Sequence, residues 1–209
     1  MELETLFAEQ KWNILRQISE TKSSPLQLAE KLDTSLANIS QQLRLLEMAN
    51  LLKTERVQNR DKGKPRKVFS LSDNFGYIIA VTDGFADKRL MHLTQHHRAI
   101  LRIWFMENTQ LHEPAQKTYW NLVPFLADAE TILVRDKAGV CQFAIVANTP
   151  QGKKRMSGLR AADGAEILVY SSQDASRLKA GGKEPFSQDS FVIYADSLKK
   201  EGTEVASKS

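Results

Sequence analysis

The chain of 209 residues has a single cysteine, so no internal disulfide can form. That cysteine, Cys141, lies within VCQFAIV and reads as a small buried hydrophobe rather than a reactive thiol. No apolar run approaches the ~20 residues needed to cross a bilayer. The opening MELETLFAEQKWN is acidic and amphipathic, unlike a signal peptide. These absences predict a cytoplasmic chain with no membrane partner. A Gly-rich phosphate loop, a nucleophile elbow and a zinc-ligand cluster are also missing, so no catalytic residue, cofactor or metal site is expected. GGKEP at 181–185 reads as a turn rather than a phosphate cradle, and 201–209 as a polar tail.

What is present suits two small domains. Hydrophobic content of 42% is ordinary for a chain with real cores. The net charge of +4 is modest, so its distribution carries more information than its sum. In FAEQKWNILRQISE, the residues Phe7, Trp12, Leu15 and Ile18, with Ile14 beside them, make a helical apolar stripe. Ser24-Pro25 reads as an N-cap followed by proline at the first helical position, and Leu26, Ala29 and Leu32 then recur at helical spacing. After a turn at Asp33-Thr34-Ser35, the next helix spans 35–48, with Leu36, Ile39, Leu43 and Leu46 on one stripe and Asn50 as a left-handed terminator. Two short helices across a tight turn predict a helix-turn-helix, whose second helix enters the major groove of DNA.

The face of that helix opposite its apolar stripe is unusual. It centres on Gln41 and carries amides, small residues and one arginine where a merely solvated face favours Glu and Lys. Thr34, Ser35, Ala37, Asn38, Gln41, Gln42 and Arg44 are therefore the candidate base-reading residues. Two strands follow, LLKTERVQ and RKVFSLSD, around the turn NRDKGKP. Between Leu51 and Lys67 seven basic residues (Lys53, Arg56, Arg60, Lys62, Lys64, Arg66 and Lys67) stand against Glu55 and Asp61, a net of +5. That excess on a projecting hairpin suits phosphates beside an occupied groove.

Residues 10 to 72 resemble the winged helix-turn-helix of ArsR- and MarR-type transcription regulators, especially archaeal ones. The likeness rests on LQLAEKLDTSLANISQQLRLLEMANLL, with Leu28-Ala29, Asp33, Ser40, Leu43, Leu46 and Asn50 at the family's positions. Asp33 and Asn50 stand where glycine is common, and Gln42 where many relatives have histidine. The resemblance implies sequence-specific binding of double-stranded DNA, usually as a dimer.

Beyond it, Tyr77 to Val81 reads as a strand ending in a turn at Asp83-Gly84. FADKRLMHLTQHHRAILRIWFMENTQ then runs without a breaker. Leu90, Leu93, Ile100 and Trp104 keep helical spacing, so one long helix over 85–109 is expected to join the domains and pair two copies as a homodimer. On that helix His92 and His96 would lie one turn apart, but no cysteine pair accompanies them, and exposed or interfacial histidines are the better reading. In the last ninety residues AQKTYWNLVPFLADAE reads as a helix ending near Pro124. TILVRD, VCQFAIVAN, AEILVYSS and SFVIYAD read as strands, with a helix before the last. This tail weakly resembles the minimal nucleotidyltransferase domain of some archaeal winged-helix proteins. The Gly-Ser and Asp-x-Asp that such an enzyme would need are replaced by VRDKAG and QFAIVA.

The fold expected is thus α+β: a winged helix-turn-helix domain over 1–83, a linker and dimerisation helix over 84–112, and a small α/β domain over 113–200. The function expected is transcription regulation through DNA, with the effector left open. A nucleotidyltransferase-like enzyme and a protein-docking module are the alternatives.

Overall fold

The computed structural model describes residues 3–58, 65–180 and 191–195. The fold is α+β, and the chain divides into two compact units, Met1–Leu93 and Thr94–Ser209. The division falls inside the segment expected to be one connecting helix.

The first unit begins with a single turn α1 (Leu3–Leu6), followed by α2 (Glu9–Glu20), α3 (Pro25–Lys31) and α4 (Leu36–Met48). Ser24 starts α3 with a capping box: its Oγ accepts from Gln27 N–H at 3.4 Å while Gln27 Oε1 accepts from Ser24 N–H at 2.9 Å. Ser35 caps α4 in the simpler way, accepting from Asn38 N–H at 3.2 Å. Both helices end on a left-handed residue, Asp33 (φ 47) and Asn50 (φ 57). In each the next amide reaches back five residues, Thr34 to the Ala29 carbonyl and Leu51 to that of Leu46. That is the Schellman arrangement, and the short polar side chains make the left-handed backbone affordable without glycine.

Strands β1 (Leu52–Val57) and β2 (Arg66–Leu71) then form an antiparallel hairpin, extended by a bridge from Ser23 to Phe69. Ile14, Leu15, Ile18, Leu28, Ile39, Leu43, Leu46, Leu52 and Phe69 are buried together as the core. Three members of the expected stripes are exposed outside it: Trp12 at 51%, Leu26 at 57% and Leu36, in the first position of α4, at 48%.

The long helix over 85–109 does not form. Strand β3 (Phe75–Thr82) turns at Asp83-Gly84, with Gly84 at φ 70, into strand β4 (Phe85–His92), paired from Phe75↔His92 to Thr82↔Phe85. Asp-Gly between apolar stretches is a strong hairpin signal. Thr94 then starts a separate helix α5 (Gln95–Trp104) with a capping box to His97. Helical spacing across 90–104 therefore joins two elements that serve different cores. Leu90 packs on the first unit's core and Leu93 lies over Gly76, whereas Ile103 is buried in the second unit.

The second unit continues with a 3-10 turn, α6 (His112–Leu122), and a further 3-10 segment over Val123–Asp128 that begins just before Pro124. Strands β5 (Ala129–Lys137) and β6 (Val140–Ala147), helix α7 (Pro150–Met156), strand β7 (Ala165–Ser171), helix α8 (Ser172–Ala180) and strand β8 (Phe191–Ala195) follow. The sheet order is β7-β6-β5-β8, with β6 and β7 parallel and the other pairs antiparallel. Side chains alternate along β6: Cys141, Phe143 and Ile145 join the core with Ile103, Tyr119 and Ile132. Helix α7 is absent from the sequence-based expectation, although Thr149-Pro150 repeats the cap-and-proline signature of Ser24-Pro25.

Candidate nucleic-acid interface

Helix α4 buries Ile39, Leu43 and Leu46, so its opposite face is set by the helical period. That face carries Ala37, Gln41 and Arg44, all exposed, and Met48, 70% exposed. Among the described residues neither Gln41 nor Arg44 has a side-chain partner. Met48 was not among the expected residues, though it lies one turn beyond Arg44 on the same stripe. Ser40 is also exposed, and its hydroxyl is occupied by the Leu36 carbonyl at 2.7 Å.

The other expected base readers are already engaged. Ser35 is consumed as the cap. Thr34, Asn38 and Gln42 form a ladder at intervals of four: Asn38 Nδ2 donates to Thr34 Oγ1 at 3.1 Å and Gln42 Nε2 to Asn38 Oδ1 at 3.3 Å. All three are half-buried and line a cleft of about 220 Å³ with Gln10 and Asn13 of α2. Gln42 Oε1 is buried there with no donor among the described residues. The seven candidates thus separate into a free outer stripe and a tied inner row.

The hairpin sorts its cations by strand parity. Directly opposed residues share a face and successive residues switch it. Thr54, which donates to Glu47 of α4, is opposite Phe69, and Arg56 is opposite Lys67 two residues further out on that face. Lys53 and Arg66 lie on the other face, Lys53 opposite the buried Ser70 and Arg66 opposite Val57. All four cations are exposed, and none has an ion-pair partner among the described residues. Glu55 does not cancel them, because Lys22 already holds it at 2.9 Å. Placing Arg56 against Lys67 costs energy where no described residue supplies a counter-ion. Arg60, Lys62 and Lys64 lie outside the described residues.

His92, His96 and the neighbouring His97 do not converge. His92 ends β4 with Nδ1 2.9 Å from Asp73, His97 serves in the α5 capping box, and His96 Nδ1 is 2.8 Å from the Tyr119 hydroxyl. Burial, with a smaller effect from Tyr194, pushes the Tyr119 phenol up to about 12. Because β4 ends at His92, the expected one-turn spacing of His92 and His96 on a helix does not exist. Among the described residues no group of three or more His, Cys, Asp or Glu side chains gathers where it could hold a metal ion. In the second unit VRDKAG is the tight β5–β6 turn, with Ala138 at φ 52 and Asp136 accepting from Gly139 N–H at 2.8 Å, while QFAIVA is buried inside β6. Among the described residues no helix is long and apolar enough to cross a membrane.

No family model and no curated protein matches the chain. The geometry above therefore carries the functional argument alone.

Proposed function

We propose that the first unit is a winged helix-turn-helix of the ArsR/MarR type and that it binds double-stranded DNA to regulate transcription in the cytoplasm. Helix α4 enters the major groove with Ala37, Gln41 and Arg44 toward the bases, and the β1–β2 hairpin lies on the flanking phosphates. One observation supports this most: an unengaged Gln41–Arg44 stripe belongs to the helix that Thr54 ties to the hairpin, and the same hairpin face carries the opposed pair Arg56 and Lys67. Like charges held opposite each other are relieved by an anion, and a phosphate backbone supplies a row of them.

The tied row has a different part in this reading. Thr34, Asn38 and Gln42 hold the start of α4 against α2, so they position the helix while the outer stripe reads. Two copies would present two such helices to successive turns of a palindromic site. In place of a long helix, one face of the β3–β4 hairpin offers the apolar surface for that pairing, with Ile79 63% and Val81 77% exposed on it.

Genome-wide mapping of bound DNA, followed by selection of sites from random duplexes, tests the reading. An enriched motif with two half-sites is the expected result. Recovery of no motif, with equal weak binding to all duplexes, would remove it.

A further inference from the structure

Helix α5 has two flanks beside its buried Ala99 and Ile103. One meets α6, through His96 against Tyr119 and Trp104 Nε1 donating to Gln116 at 3.2 Å. The other carries Gln95, Arg98 and Arg102, two cations and an amide with no acid among the three. Arg98 Nε and Gln95 Nε2 are buried and have no acceptor among the described residues. Among the described residues no carboxylate pairs with Arg98 or Arg102, and no other side chain or carbonyl partners either guanidinium. The two arginines are four residues apart, so ~6 Å of helix rise separates them. Partial desolvation, with the charge of Arg98 added to it, holds Arg102 below the usual arginine range.

A buried donor without an acceptor costs ~1–3 kcal/mol, and charged groups cost more. Two like charges a turn apart add repulsion. A protein ordinarily answers this with an acid, and none of the described residues supplies one. From this we infer that this flank of α5 binds a phosphate group, held by Arg98 and Arg102 with Gln95 as the third donor. Phosphate fits better than a carboxylate, because its charge near −2 matches two guanidinium groups and its several oxygens suit their planar forks. Phe105, three residues past Arg102 and 79% exposed, stands on the same side of the helix. Its ring offers a stacking surface to whatever carries the phosphate. The site belongs to the second unit and does not depend on DNA binding by the first.

The test is calorimetric titration of the full chain with inorganic phosphate and, separately, with adenosine monophosphate, ionic strength being held constant with chloride. The wild type should bind at least one of them. Arg98→Gln with Arg102→Gln should weaken binding about tenfold or more, the scale of one or two lost charge-assisted hydrogen bonds. Arg98→Lys with Arg102→Lys, which keeps the charge and loses the fork, should fall between, and it serves if the glutamine variant does not fold. Tighter binding of adenosine monophosphate, with the advantage abolished by Phe105→Ala, identifies a nucleoside phosphate. Equal binding of both ligands identifies free phosphate. A wild type that binds neither at millimolar concentration, or arginine variants that bind as well as wild type, would overturn the inference.

Discussion

Replacing Arg56 and Lys67 together with glutamine separates the two faces of the basic hairpin. Both side chains are exposed and neither is in an ion pair among the described residues, so the change removes charge without opening the core. If each meets one phosphate, the slope of log affinity against log salt becomes shallower by about 1.8, at 0.9 for each contact. Between about 50 and 200 mM salt, that difference amounts to about a tenfold smaller loss of affinity than the wild type suffers. Lys53→Gln with Arg66→Gln removes the same charge from the opposite face and should leave the slope nearly unchanged. The preferred sequence should be the same in all three proteins, because phosphate contacts carry no base identity. The Arg56/Lys67 variant should also melt no lower than wild type, since it loses a like-charged cross-strand pair. Fluorescence anisotropy with specific and random duplexes at several salt concentrations gives the slopes, and a melting curve confirms folding. An Arg56/Lys67 variant with the wild-type slope, or two variants with equal losses, would refute the assignment of the α4 side of the hairpin to DNA.

Gln41→Ala should relax base preference at one position of each half-site, where a bidentate contact contributes ~1–3 kcal/mol of discrimination, and an unchanged selected motif would remove Gln41 from the reading stripe. Ile79→Glu with Val81→Glu should shift a dimer to monomer in sedimentation at several concentrations, and a wild type already monomeric would end the role proposed for the β3–β4 hairpin. Burial, reinforced by the charge of Asp136, pushes the Cys141 thiol up to about 12, so it should resist thiol reagents in the folded chain and react once denatured. Hydrogen bonds from Ser171 and then Lys153 lower the Asp174 carboxyl from 3.8 to about 2. Because the folded value is depressed, its contribution is present above pH 3.8 and lost as the pH falls toward about 2. Asp174→Asn should flatten the pH dependence of melting in that window, with the carboxyl titration followed by NMR.

The ends of α3 and α4 were legible in the sequence because capping is local. Ser24-Pro25, Ser35, Asp33 and Asn50 act on amides and carbonyls within a few residues, and the observed caps lie where those residue types require them. The free stripe on α4 was legible for the same reason, since helical period alone puts Gln41 opposite Ile39, Leu43 and Leu46. Strands β5, β6 and β7 could likewise be read from short apolar runs between turn residues.

Other features depended on contacts between residues distant in sequence. Spacing over 85–109 satisfies a helix, and only pairing with β3 makes 85–92 a strand, because cross-strand hydrogen bonds join residues that no periodicity links. The tying of Asn38 and Gln42 to the α2 side, and the sorting of Arg56 and Lys67 from Lys53 and Arg66, likewise follow from packing and register. A slip of one residue in that register would exchange the two faces of the hairpin. Charge and residue type were therefore determined by the sequence alone. Which charges share a face, and which amides remain free, was decided by tertiary structure, because a side chain's availability depends on what the rest of the chain brings beside it.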